Sequence, residues 1–204
     1  MNFTLSALAN SLATSSLLEQ TDLSPLISKT VTSIVSIDTL AAGIIINYNG
    51  IILTSYKEDY RNAPTRVTFN NGQSCSAVFF KANQEAGFTL LKLEELPINL
   101  RVAKIGKPTN LTIGQKLKIV NTLSTTKKRF YLGKLIGIMG RKVAINGKII
   151  NYLNLETTAL QNNLSGPLFN LKGELLGLIS SKFLIGGNGR MAVAVSINTV
   201  LETI

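Results

Sequence analysis

The chain has 204 residues, 45% of them apolar and 16% charged, and a formal net charge of +10. That is enough chain to bury a core without staples and too apolar for disorder. It holds no histidine, no tryptophan and one cysteine, Cys75, which excludes imidazole general bases, histidine-ligated metals, cysteine-cluster metal sites and disulfides within the chain.

In chain order, residues 1–24 read as an N-terminal extension in which Phe3, Leu5, Leu8, Leu12 and Leu17 are loosely helix-spaced, so a short amphipathic docking helix is expected. The segment lacks the basic start of a secretory signal, and no stretch of the chain is long and apolar enough for a transmembrane helix. From Thr30 the period becomes strand-like. TVTSIVSI (Thr30 to Ile37) alternates, and AAGIIIN and GIILTS are short apolar runs separated by Tyr48-Asn49-Gly50. RVTFNNGQSCSAVFF repeats the pattern about Asn71-Gly72, and GFTLLKL (Gly87 to Leu93) closes the series. Asn-Gly between apolar runs is a hairpin signal, and six short strands in about seventy residues predict a small closed barrel.

Pro97 marks a change of unit. KLKIVNTL, KRFYLGKLIGI, KVAINGKIINYL, PLFNLKGELLGLISS and GRMAVAV form a second strand series, with turns at Asn146-Gly147 and Lys172-Gly173. SINTVLETI then begins a C-terminal helix with Ser196 as its cap. The expected architecture is all-β: a first barrel over residues 25–98, a second barrel with a C-terminal helix over 99–204, and the short N-terminal helical segment before them.

Charge is unevenly spread. No acidic residue lies between Glu95 and Glu156, while twelve of the twenty-one Lys and Arg residues fall from Arg101 to Lys148. A solvated basic face and a surface for an anionic partner account for this equally well. For the second, the leading residues are Lys127, Lys128, Arg129, Arg141 and Lys142. Acidic protein, anionic lipid, a mineral surface or nucleic acid would use the same charges, although the segment offers only Phe130 and Tyr131 for base stacking. Ile185 to Gly189 is glycine-rich but lacks the strand-loop-helix order of a phosphate cradle, so a hairpin turn is expected there. Cys75 reads as a small strand residue.

Three segments in order carry a resemblance: AAGIIINYNGIILTSYKE, FKANQEAGFTLLKLE and TTALQNNLSGPLFNLKGELLGLIS. They resemble the segments around the catalytic histidine, aspartate and serine of the HtrA/Deg type of trypsin-like serine protease. IGKPTNLTIGQKLKIVNT and GRMAVAVSINTVLETI are also similar to segments of that family, so the resemblance covers about residues 25–204, nearly the whole protease domain, with no appended PDZ domain expected. It implies a trypsin-like double six-stranded β-barrel.

At the three catalytic positions the resemblance implies loss. The histidine position is Lys57, the aspartate position Gly87 and the serine position Leu164. A triad needs a hydroxyl nucleophile, an imidazole to accept its proton and a carboxylate to hold the imidazole. Leucine and glycine supply none of these, and lysine is ordinarily protonated at neutral pH. The Gly-Asn that precedes the serine in active relatives is Asn162-Asn163 here. The expectation is a catalytically degenerate pseudoprotease with no metal or other cofactor, acting as a protein-binding or structural subunit of a larger assembly. The alternatives are a module for anionic ligands built on the second barrel and, more remotely, a hydrolase pairing Ser165 with Lys57. Active relatives are mostly exported, membrane-tethered or organellar, and the sequence leaves the compartment of this chain open.

Overall fold

A computed structural model of the protein describes residues 32–38, 41–122, 128–142, 149–157, 165–179 and 191–204. The N-terminal segment, the turn at Asn146-Gly147 and the glycine-rich stretch at 185–189 lie outside the described residues.

The first barrel comprises β1 (Ile34–Ile37), β2 (Ala41–Ile45), β3 (Ile51–Ser55), β4 (Thr65–Thr68), β5 (Ser74–Asn83) and β6 (Phe88–Leu93). The second comprises β7 (Lys116–Thr122), β8 (Lys128–Lys142), β9 (Ile149–Thr157), β10 (Gly166–Phe169), β11 (Leu175–Ile179) and β12 (Met191–Ser196), followed by helix α1 (Ile197–Leu201). Both sheets close, in the orders β1-β2-β3-β6-β5-β4 and β10-β11-β12-β9-β8-β7. Read around the ring from β7, the second order is the first shifted by six strands, so the same antiparallel winding occurs twice.

The short apolar runs arise because many strands are buried on both faces, which removes the polar alternation of a half-exposed strand. In β3, Ile52 points into the first barrel while Ile51 and Leu53 join the layer between barrels. In β11, Leu176 and Ile179 fill the second barrel while Leu175 and Leu178 face that same layer. The layer is continuous, running from Ile34, Leu53 and Phe88 to Tyr152, Phe169, Val195 and Val200. It joins the barrels through a shared apolar core. The connecting segment is stitched to both: Ala103 N–H donates to Ile45 O (2.8 Å), and Gly106 N–H to Leu175 O (2.8 Å). Gly177 permits the closest approach, since a Cβ there would lie 2.3 Å from the Val195 carbonyl oxygen.

The hairpins expected at Asn49-Gly50 and Asn71-Gly72 form, joining β2 to β3 and β4 to β5. Neither is a two-residue turn, which would need positive φ at both central residues. At Asn47–Gly50 the Gly50 N–H donates back to Asn47 O (3.2 Å), only Gly50 has positive φ (+76°), and Asn47 Oδ1 accepts the Asn49 and Ile51 N–H groups at 3.1 Å. The Phe69–Gly72 and Asn170–Gly173 turns repeat this pattern, with φ of +83° and +78° at their glycines. In each, a tight turn is followed by glycine at the bulge. Ser196 does precede α1, but its hydroxyl caps no N–H; it is buried, 2% exposed, as the last residue of β12.

Candidate functional site

The segment after β3 builds one side of the site. Ser55 pairs with Phe88 across β3 and β6, and Tyr56 N–H donates to Gly87 O (3.0 Å). The register therefore sets Tyr56, the residue before Lys57, opposite Gly87, so the segments carrying two of the three positions singled out in the sequence run side by side. Lys57 is the residue before a short 3₁₀ helix, Glu58–Arg61. Its ammonium lies 3.5 Å from Asp59 Oδ2 and 5.6 Å from the centre of the Tyr60 ring, with 54% of the side chain exposed. These contacts give Lys57 a carboxylate and a ring face as neighbours. Tyr60 is buried, and that burial, ahead of the nearby Asp38 and Asp59 charges, pushes its phenol up to about 12. Tyr56 donates its hydroxyl to Glu58, which raises its pKa as well.

Gly87 offers no side chain, and its backbone has φ +79°. That conformation is locked from both sides, because the Gly87 N–H donates to Asn83 O (2.9 Å) while its carbonyl holds Tyr56. Asn83 Oδ1 also accepts the Ala86 N–H at 2.9 Å. From the second barrel, the Tyr152 hydroxyl donates to Glu85 O at 3.3 Å, so the loop carrying Gly87 is tied across the seam.

Leu164 and Lys127 lie outside the described residues. Ser165 is half-buried and immediately precedes β10, a strand that packs against β2 across the seam. The remaining basic residues are not gathered at one place. Lys128 and Arg129 begin β8, where they pair with Thr122 and Asn121, while Arg141 and Lys142 end it, opposite Ile150 and Ile149. The twelve steps from Arg129 to Arg141 correspond to roughly 40 Å of extended strand. Arg141 and Lys142 are exposed. Cys75, half-buried in β5, has its thiol pKa raised by burial and by Glu95 and Glu94.

Sequence reasoning missed a second basic region. A groove of about 440 Å³ beside the inter-barrel connection is lined by Lys104, Lys107, Asn110, Gln115 and Lys172, with Glu174 among them. Glu174 bonds to Lys104 (2.7 Å) and to Asn170 Nδ2 (2.7 Å), and these contacts hold its carboxyl below the usual range. The signal lay in Lys104 and Lys107 flanking Gly106, with Lys172 contributed by the Asn170–Gly173 turn. Lys118 was also missed: it is only 6% exposed within β7, where burial lowers its pKa. Among the described residues, no group of three or more His, Cys, Asp or Glu side chains could hold a metal ion. Nor is any described helix long and apolar enough to cross a membrane.

Two antiparallel six-stranded barrels packed across a seam define a trypsin-like double barrel, and comparisons with known proteins agree. No family model matches the chain. The mitochondrial serine protease HTRA2 of Drosophila grimshawi is 26% identical over 149 residues, covering 71% of this chain and 34% of the relative. Serine protease HTRA1A of Danio rerio is 24% identical over 156 residues, covering 71% and 30%. The chain thus spans about a third of the length of these curated relatives. Among solved structures, the HtrA-type protease AlgW with decapeptide superposes with a TM-score of 0.71 over 89% of this chain and 66% of that one, at 12% identity. Sequence and fold match an HtrA-type trypsin-like serine-protease domain.

Proposed function

We propose that this chain is a non-catalytic pseudoprotease that keeps the double barrel as a protein-binding or structural subunit of a larger assembly. The observation that carries this reading is the pair Lys57 and Gly87. Tyr56, the residue before Lys57, is hydrogen-bonded to Gly87, yet Lys57 brings an ammonium beside Asp59 and Tyr60 and Gly87 brings no side chain. No imidazole exists anywhere in the chain to complete a proton relay. Loss of such a unit typically costs on the order of 10⁶ in rate. The relatives are described as proteases, one of them in a structure with a decapeptide, which supports a scaffold suited to polypeptide partners.

The test is activity-based labelling of the purified chain with a fluorophosphonate, alongside turnover of an unfolded protein substrate. Neither labelling nor cleavage is expected. Labelling that disappears in Ser165→Ala would establish a serine hydrolase and overturn the proposal. The assembly half is read by native mass in lysate, where a chain running only as a monomer counts against it.

The groove lined by Lys104, Lys107 and Lys172 favours a second reading, an anionic-ligand module. Titration with a nucleic acid against salt separates the two: phosphate-backbone binding weakens steeply as salt rises, and a flat response excludes it.

A further inference from the structure

The second barrel leaves one strand half-paired. β7 partners β8 only from Lys128 to Lys134, after which Gly114 and Gln115 exchange backbone hydrogen bonds with Leu135. β9 continues alongside β8 to Lys142. Among the described residues, residues 136–142 therefore have a strand partner on one side only. Alternate residues of a strand direct their N–H and C=O groups to opposite sides, so this edge presents backbone donors and acceptors that no other described strand uses. Its side chains are equally uncovered: Ile136 is 37% exposed, Ile138 50% and Met139 52%, and Ile149 across the hairpin is 55% exposed. Ile138 and Met139 are adjacent and so lie on opposite faces, which leaves both faces of β8 open at this point. At the base of the hairpin, Asn154 sits opposite Gly137, and its buried Oδ1 has no hydrogen-bond partner among the described residues.

We propose that the free edge of β8 at residues 136–142 is a strand-addition site for an extended partner segment that alternates apolar and acidic residues. The edge is roughly 20 Å long, enough for one strand of ordinary length. Backbone pairing supplies the hydrogen bonds, Ile136, Ile138 and Met139 supply apolar contacts, and alternate side chains set specificity. The occupant's charge follows from Arg141 and Lys142, which are exposed at the end of the edge, on a chain of net charge +10 with no acidic residue between Glu95 and Glu156. A second copy is a poor match: antiparallel pairing about Met139 would set Arg141 and Lys142 against Gly137 and Ile136 of a chain carrying the same net charge.

This inference rests on the partner-binding reading above, and the experiment separates the two. A labelled seven-residue peptide alternating valine and glutamate is titrated into the intact chain by fluorescence anisotropy, and amide hydrogen exchange locates its contact. Valine–lysine and glycine–glutamate peptides serve as comparisons. The valine–glutamate peptide is expected to bind about tenfold more tightly than either and to slow exchange within 136–142. The double variant Arg141→Glu, Lys142→Glu, at exposed positions, is expected to reverse the preference toward the lysine peptide; Ile138→Asp provides a second variant that weakens binding of the acidic peptide. Absence of binding, protection elsewhere, equal binding of the glycine–glutamate peptide, or dimerisation abolished by Ile138→Asp would each overturn the edge site. Those outcomes leave the non-catalytic reading standing, whereas cleavage of the peptide would overturn that reading.

Discussion

Placing triad groups at the three positions that the resemblance assigns to them tests whether this backbone can accommodate them. The triple variant Lys57→His, Gly87→Asp, Leu164→Ser restores the chemical groups of a triad, but the acid must occupy a position with φ +79°. A residue with a Cβ pays about 1–2 kcal/mol in the left-handed region, with aspartate toward the low end because its short polar side chain tolerates that conformation. Relaxing φ is no cheaper, since the Gly87 N–H and C=O hold Asn83 and Tyr56 at 2.9 and 3.0 Å, and each such bond is worth about 1 kcal/mol net. For a domain of this size each kcal/mol lowers Tm by about 2–4 °C. Gly87→Ala is therefore expected to melt about 2–8 °C below the parent by scanning calorimetry, Gly87→Asp less far below it, and the triple variant to remain without measurable turnover of an unfolded protein substrate. Vigorous turnover by the triple variant, with Gly87→Ala melting at the parental temperature, would refute the argument that the glycine backbone itself obstructs the triad.

Two further outcomes follow from the structure. Gly177→Ala places a Cβ 2.3 Å from the Val195 carbonyl oxygen on β12; because backbone cannot swing aside as a side chain would, urea unfolding should show a loss of about 3 kcal/mol or more, or no soluble protein. Gly72→Ala is the control, having positive φ but open space, and it should lose only about 1 kcal/mol. The Glu174 carboxyl is depressed by hydrogen bonds from Lys104 and then Asn170. Its contribution is therefore complete above the ordinary carboxylate pKa and is lost as pH falls through the lower folded value. Glu174→Gln should flatten that part of the acid limb of stability, and an unchanged limb would mean that the Lys104 pair adds nothing.

The barrels were legible in the sequence because burial on both faces leaves a distinct trace: AAGII in β2 and LLGLI in β11 are apolar without alternation, and glycine ends the intervening turns. The turn class was not legible, because Asn-Gly fits both a two-residue turn and the end of a longer one, and the choice depends on how Asn47 or Asn170 folds back onto the chain. Nor was the free edge. LIGIMG reads as an ordinary barrel strand, and its exposure depends on where β7 stops pairing, a long-range fact with no local signature. At the candidate site, the resemblance pointed to Lys57 and Gly87, and the register of β3 on β6 sets Tyr56, the neighbour of Lys57, opposite Gly87. The left-handed backbone at Gly87 could not be read from a glycine, which is compatible with either sign of φ.

The packing also bears on why the proposed non-catalytic reading is compatible with an intact barrel pair. Lys57, with 54% of its side chain exposed, lies outside the three apolar clusters, and Gly87 contributes backbone only. Burial at these two positions therefore supplies little of the stability, which comes from apolar area removed from water. The layer between the barrels is built from strand residues such as Leu53, Phe88, Leu175 and Val195 and from Val200 of α1. A substitution at Lys57 or Gly87 leaves those contacts between barrels in place, so under the proposed reading the folded scaffold does not depend on a working triad. The exposed hairpin of β8 follows the opposite logic: Ile138 and Met139 contribute little to the barrel core when half-exposed, and an uncovered apolar edge carries an aggregation cost. Retaining such an edge is physically costly unless a partner covers it, which is why, under the proposed reading, this edge is a better place to seek the chain's function than Lys57, Gly87 and Leu164.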